Sequence, residues 1–377
     1  MIYFDNAATT ARKPRQVYKG MMKLLNHGAS AGRGGYKAAL FASEAMFETR
    51  STLADFFRVK NPERIVFAQN TTQALNTAIR GILSYGDHVI FSSMEHNSVV
   101  RPIKMMEQEK RITVSMLSAE KDGTVDVEKL SSLIRPETKL ICLTHSSNVC
   151  GAINDISRAQ EIAREKGVYL LVDAAQSAGT LDICASEFDM VAFPGHKGLM
   201  GPLGTGGLII KEGLKLSPLL SGGTGSLSEQ LLQPEIMPDR FESGTQNVPA
   251  LYGLKAAVDF IRVIGIETIR QKEEWLLKMF EERVRNMSGV TVYGSDHKTA
   301  ICALNILGRD CVDVAQILDE KYDIAVRSGL HCAYLAHKTL GTEKTGAVRF
   351  SFGFFNTPRE VLRAVDAVYE ISKEAKG

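Results

Sequence analysis

The chain has 377 residues, 44% of them hydrophobic and 23% charged, and its 45 Lys+Arg against 43 Asp+Glu leave a formal net charge of +2. These ordinary globular values exclude a disordered or collagen-like chain, and an even balance without a Lys/Arg cluster argues against nucleic-acid and membrane-surface binding. No uncharged apolar run reaches the ~18–20 residues that span a bilayer, and residues 1–6 carry an acid and no basic n-region, so a cytoplasmic chain without a signal peptide is expected.

From about residue 36 to 210 the pattern alternates. Residues 38–59 predict a helix and 64–68 a short strand. In 71–84, Leu75, Ala78, Ile79 and Ile82 recur at helical spacing. Strand 87–92, helix 96–111, strand 112–117 and helix 127–134 follow. Strand 139–144, helix 155–167 and strands 168–173, 189–193 and 206–211 complete the run. Several strands are apolar at nearly every position, as expected when helices cover both faces of a sheet. The fold class is α/β with a mixed, mainly parallel sheet.

Residues 213–250 are rich in Gly, Ser, Pro and Gln with little periodicity, and a loop of that length is usually functional or lies at an interface. Beyond it, Ile269, Leu276, Phe280, Val284 and Met287 share one helical face. Strands at 290–293 and 301–306, a helix at 311–321, a strand near 323–326 and a final helix from Pro358 predict a smaller α+β domain.

Ligands of open α/β sheets bind beyond the carboxyl ends of the strands, and three segments should meet there. Asp173 ends an apolar strand, with Gln176 three residues on; alone, Asp173 equally fits a helix N-cap. Lys197 follows the next strand within Phe193-Pro-Gly-His-Lys-Gly198, whose glycines allow another molecule close to the backbone. A lysine among glycines also fits a solvated surface position, and the spacing matches no P-loop. Asn70, Thr71 and Thr72 open a helix, whose free N–H groups suit either a phosphate or an ordinary N-cap. A lysine able to bond an aldehyde, an acid for a pyridinium nitrogen and a helix N-terminus for a phosphate together describe a site for pyridoxal 5'-phosphate. His96 could stack on its ring, or simply begin a helix.

In that order the residues resemble the class V aminotransferase group, and within it the cysteine desulfurase and selenocysteine lyase family. The likeness runs from Tyr3-Phe-Asp-Asn-Ala-Ala-Thr-Thr10 through Asn70-Thr-Thr72, Glu95-His-Asn-Ser98, Ser147-Asn-Val-Cys-Gly151, Val172-Asp-Ala-Ala-Gln176 and Gly195-His-Lys197. It ends with Phe241-Glu-Ser-Gly-Thr245, Arg327-Ser-Gly-Leu-His-Cys332 and Val348-Arg349. The resemblance implies a fold-type I pyridoxal-phosphate enzyme acting as a homodimer. Its large domain would span 15–255, and its small one would combine 1–14 with 256–377. Lys197 would attach the cofactor, Asp173 contact the pyridine nitrogen, Gln176 the phenolic oxygen, and His96 the ring. Thr71, Thr72 and His196 would hold the phosphate, with Thr245 reaching it from the other subunit. Asn148 and Arg349 would grip the substrate carboxylate. Cys332 would take sulfur from L-cysteine, or selenium from L-selenocysteine, leaving L-alanine and passing sulfur to an acceptor protein.

Three positions depart from the family pattern: Pro194 replaces a phosphate-contacting Ser, Asn70 a Gly and Gln246 a Pro. Residues 221–241 are shorter than in desulfurases of the Arg-x-Gly-x-His-Cys type. Of the six cysteines, Cys142, Cys302 and Cys311 fit core positions, and Cys150 is the second candidate nucleophile. Cys332 lies between potential cations, which favour a thiolate. No C-x-x-C pair or His spacing suggests a metal. The alternatives are another class V enzyme (aminotransferase, epimerase or eliminating lyase) with Cys332 incidental, or a non-catalytic binder of phosphate ligands.

Overall fold

Seven strands form one sheet, in the spatial order Ile65–Ala68, Gly206–Ile210, Met190–Pro194, Tyr169–Asp173, Thr138–Thr144, His88–Ser92, Thr113–Leu117. They belong to a computed structural model that describes residues 1–32 and 34–374. From Met190–Pro194 across to Thr113–Leu117 every pairing is parallel, and only the Gly206–Ile210 pairings are antiparallel. The continuous apolar runs have a direct cause. Val89, Phe91, Leu140, Cys142 and Leu171 enter a core on one face of the sheet, while Ile90, Ile141, Leu143, Leu170 and Val172 enter a core on the other. Helices cover both: Leu75, Ile79 and Ile103 pack into the first core, Ile162 and Leu254 into the second.

A second sheet is antiparallel, with its strands ordered Arg327–Gly329, Ala347–Ser351, Ile301–Ile306, Val290–Tyr293. Phe280 of helix Ile266–Val284 and Val368 of helix Pro358–Glu374 close a third core with its Leu304 and Phe350. Strand Ile2–Tyr3 pairs in parallel with Ile324–Ala325, and Asp5 bridges Ser351, so the start of the chain is built into this C-terminal unit.

The elements differ from the sequence expectation in several places, the short strands Ile2–Tyr3 and Arg327–Gly329 among them. Helix Arg15–His27 lies where no element was assigned. The long helical region is two helices, Val248–Ile264 and Ile266–Val284, because Gly265 takes φ +90, a left-handed conformation that breaks the ladder. Residues 127–134 begin as a 3-10 turn, Val127–Lys129, before the short helix Leu130–Leu133. Helix Tyr334–Leu340 and strand Ala347–Ser351 carry no strong periodic signal of their own. The 213–250 stretch stays without helix or strand until Val248, and exposes Leu220, Leu231 and Leu232. Among the described residues no helix is long and apolar enough to cross a membrane.

Candidate active site

The parallel strands of the large sheet point their carboxyl ends at one cavity of about 100 Å³. Asp173, Gln176, His196, Lys197, His96, Asn148, Thr71 and Thr72 all line it. The three segments singled out in the sequence therefore meet in space.

Asp173 is the last residue of its strand, 2% exposed, and no helix follows it. The N-cap alternative is thereby excluded. Its Oδ1 accepts from the Ala175 N–H at 2.9 Å. Burial pushes its carboxyl up to about 6, against the opposing pull of that hydrogen bond and of Lys197. An acid kept so dry needs a cationic or donor partner from the cavity.

Lys197 follows strand Met190–Pro194 and is half-buried, with Nζ in no hydrogen bond or ion pair among the described residues. Burial lowers its ammonium to about 8; Asp173 opposes the shift, and Arg349 and Arg327 add to it. A fraction of the amine is therefore free base near neutral pH. The loop that carries it is held from both sides. A Cβ at Gly198 would lie 2.5 Å from the Ala178 carbonyl, so only glycine permits that approach. On the other side the His196 carbonyl accepts from Thr10 N (3.1 Å), Thr9 Oγ1 (3.2 Å) and Lys13 Nζ (3.1 Å). The Lys197 carbonyl accepts from Thr10 Oγ1 at 2.6 Å. The family likeness at residues 3–10 does not by itself reveal this clamping role.

His96 is both of the things its sequence position allowed. It caps helix Asn97–Gln108, Nδ1 accepting from the Ser98 N–H at 3.1 Å, and its ring lines the cavity. Burial, and then Lys197, lower it to about 4, so the imidazole is neutral. Accepting from an N–H leaves the ring proton on Nε2. Asn70 supplies the N-cap of helix Thr71–Ile82 through Oδ1 to Gln73 N at 2.9 Å. The first-turn N–H groups of Thr71 and Thr72 then have no intrahelical acceptor. Thr72 Oγ1 lies 2.7 Å from Ser98 Oγ, which joins the two helix starts. His196 leaves a buried Nδ1 without a partner among the described residues. Burial and two nearby lysines hold its ring neutral, at about 4. Gln176 already donates from Nε2 to the Ala7 carbonyl at 3.0 Å.

Pyridoxal phosphate fits these residues. The orphaned His196 Nδ1 and the bare helix start suit a phosphate. The buried Asp173 suits a pyridinium, and the unpaired Lys197 an aldehyde carbon.

Arg349, Thr245 and Cys332 do not line this cavity. Arg349 is 1% exposed and donates from Nη1 to the Asn148 carbonyl at 2.8 Å, just behind the cavity wall. Thr245 is exposed and lies beside Gln246 on two other surface cavities. Cys332 is exposed, on a loop bound to the cavity wall at two points. Asn148 Nδ2 donates to the His331 carbonyl at 2.7 Å, and the Asn97 N–H donates to the Cys332 carbonyl at 2.8 Å. Those bonds hold consecutive left-handed residues, His331 at φ +50 and Cys332 at φ +55, each costing on the order of 1–3 kcal/mol. Arg327 Nη2 lies 3.6 Å from Cys332 Sγ. Cys150, the other candidate, is buried, and burial pushes its thiol up, as it does for Cys142, Cys302 and Cys311. Asn97 lies in the Glu95–Ser98 likeness, but its role runs through the backbone N–H, which residue type does not signal.

Glu95 belongs to the same likeness, but nothing local in the sequence marks it as a buried acid. It is fully buried, Oε1 accepting from Ser92 Oγ (2.5 Å) and Thr144 N (2.8 Å), while Oε2 has no partner. Burial raises its carboxyl from 4.5 to about 8. The folded chain then binds more protons than the unfolded one between those values, so stability falls as pH rises through them. In cofactor-free protein, Glu95→Gln should flatten this slope. Denaturant melts should show the variant ahead of the parent by on the order of a few kcal/mol at pH 8 and level with it at pH 4.5. Part of the slope should persist through Glu273, which burial also raises to about 8. An unchanged difference between the two pH values would refute the assignment.

Comparison with known proteins agrees with this geometry. Residues 2–363 match the family described as Aminotransferase class-V. A probable cysteine desulfurase of Methanothermobacter thermautotrophicus is 35% identical over 381 residues, covering 98% of this chain and 94% of the relative. A cysteine desulfurase of Salmonella agona is 32% identical over 385 residues, covering 99% and 94%. Among solved structures, an apo cysteine desulfurase from Thermococcus onnurineus superposes with a TM-score of 0.92 at 32% identity, over 99% of this chain and 95% of that one. An Escherichia coli cysteine desulfurase gives 0.89 at 28% identity, over 99% and 94%. With its sequence matched almost end to end, and a lysine, a buried acid and a bare helix start around one cavity, the chain belongs to the class-V aminotransferase family.

Proposed function

We propose that this protein removes sulfur from L-cysteine with the help of pyridoxal 5'-phosphate, giving L-alanine and a persulfide on Cys332. The observation that carries this is the tethering of the Cys332 loop to Asn148 and Asn97, beside the cavity that holds Lys197 and Asp173.

Lys197, Asp173, Gln176, His96, Thr71, Thr72 and His196 would hold the cofactor. When bound, it supplies an aldehyde for the substrate amine and an electron-withdrawing ring next to the substrate's Cα. Asp173 keeps a proton at the ring nitrogen by offering a buried negative charge. Lys197 Nζ, with its lowered affinity for protons, is the base that takes the Cα proton. His96, neutral and carrying its proton on Nε2, packs over the cavity without adding charge. Arg349 and Asn148 orient the substrate carboxylate. Cys332 Sγ, 3.6 Å from Arg327 Nη2, attacks the substrate sulfur. The carbon–sulfur bond breaks with its electron pair staying on the substrate's Cβ, which takes up one proton while Lys197 returns the first proton to Cα, so that alanine is complete and the sulfur remains on Cys332.

The finer parts of this proposal rest on further observations. Thr245 is exposed, and Leu231, Leu232, Phe47 and Met22 are exposed near the same long loop or on the helices before it, which supports a homodimer in which Thr245 completes the partner subunit's phosphate site. The division into 15–255 and 1–14 with 256–377 is supported by the two larger sheets and by the pairing of Ile2–Tyr3 to Ile324–Ala325, while helix Val248–Ile264 crosses the boundary and buries Val258 and Ile261 in the core of the large sheet. L-selenocysteine is a second substrate, since its selenol is more acidic and its carbon–selenium bond weaker. An exposed Cys332 suits delivery to an acceptor protein in the cytoplasm, where thiols stay reduced.

The test is product analysis on the purified holoenzyme with L-cysteine and with L-selenocysteine. Alanine should form in both, and without reductant one persulfide per chain should appear with cysteine. The active species should sediment as a dimer. Transamination products without alanine would establish the rival class V chemistry, and an active monomer would remove Thr245 from the site.

A further inference from the structure

Arg349 reaches its place with its guanidinium already in use. Nη2 donates to Asp5 Oδ1 at 2.6 Å, Nη1 donates to the Asn148 carbonyl at 2.8 Å, and Nε is buried with no partner among the described residues. A guanidinium has five N–H donors, so it can still take a further acceptor. A second cation stands close by. Arg327 is its directly opposite cross-strand neighbour, and like charges so placed repel. Asp5 is the one carboxylate paired with Arg349 among the described residues.

Asp5 is fixed as firmly as its partner. It bridges Ser351, two residues beyond Arg349, and its carbonyl accepts from Ala8 N (3.0 Å), Thr9 N (3.3 Å) and Tyr3 Oη (3.1 Å). The Asp5 backbone is therefore held beside the guanidinium, and its carboxylate competes with any other that arrives. We propose that Asp5 is a positioning residue that holds Arg349 ready and, by sharing its charge, keeps the grip on an incoming amino-acid α-carboxylate weak. This rests on the role of Arg349 proposed above. The chemistry gives the arrangement a use. Substrate cysteine and product alanine carry the same α-carboxylate, so tightness toward one is tightness toward the other and does nothing for the bond that breaks. Tempering that contact lets alanine leave.

The test is calorimetric titration of L-alanine into the holoenzyme. Asp5→Asn keeps the shape and a hydrogen-bond acceptor but removes the competing charge, and should bind alanine at least about tenfold more tightly than the parent. Its melting temperature should also rise more in acetate than the parent's, since the uncompensated guanidinium then recruits a small carboxylate. Equal or weaker alanine binding would overturn the proposal, because a residue that merely props up Arg349 can only lose affinity when altered. Where Asp5→Asn is too unstable to purify, Asp5→Ser, which leaves room for an anion, carries the same expectation. Arg349→Lys separates the two levels. If it binds alanine as the parent does, the carboxylate role of Arg349 fails and this proposal with it. If it binds far more weakly while Asp5→Asn is unchanged, only the role of Asp5 fails.

Discussion

Lys197→Ala should turn L-cysteine over at least about a thousandfold more slowly than the parent chain, the ordinary scale for losing a positioned base together with a covalent anchor. The fold should survive, because the side chain lies in a cavity and its Nζ is in no hydrogen bond. The loop is held through the His196 and Lys197 carbonyls, which alanine retains. Removing a lysine that burial makes reluctant to carry charge should even leave the cofactor-free protein as stable as before. Borohydride reduction of the parent holoenzyme, followed by peptide mapping, supplies the matching observation. A pyridoxyl group on any lysine other than Lys197 would defeat the assignment, as would a variant with parental turnover.

Cys332→Ala should lose turnover of L-cysteine by a comparable factor while binding cysteine as the parent does, since Lys197, Asp173 and Asn148 lie around the cavity and Cys332 does not. The two anchors of the loop are backbone carbonyls, so the substitution leaves both in place. Alanine is no better suited than cysteine to φ +55, and little change in stability is expected. In the parent, stoichiometric cysteine without reductant should leave a persulfide on the peptide containing residues 327–333, readable by mass. Selenocysteine should suffer less from the substitution, because its weaker carbon–selenium bond needs less help from a nucleophile. Desulfuration of cysteine at the parental rate in the variant would mean that another group takes the sulfur.

The sequence was most informative where burial on both faces of the large sheet wrote itself as unbroken apolar runs, such as 139–144 and 168–173. Asp173 and Lys197 could be placed at strand ends because those strands were so plain. What stayed hidden depends on residues distant in the chain. Nothing local tells Asp5 that it will pair with Arg349, 344 positions later. Asp173 looked as much like a helix cap as a buried acid, since the difference lies in whether a helix follows, and a turn follows instead. Gly265 was hidden within a long amphipathic stretch whose composition favours helix on both sides. Asn97 and Glu95 act through a backbone N–H and a buried carboxylate, roles that leave no periodic trace.

The parallel pairing of Ile2–Tyr3 with Ile324–Ala325 also orders events on the ribosome. Chains lengthen at about 5–20 residues per second, so roughly 17 to 70 seconds separate the emergence of Asp5 from that of Arg349. All strands of the large sheet, with Asp173 and Lys197 at their ends, are synthesised within the first 210 residues. Every residue that lines the cavity, from Asn70 to Lys197, is thus synthesised well before Arg349. The opening strand waits, its backbone unpaired, until residues 324–325 arrive.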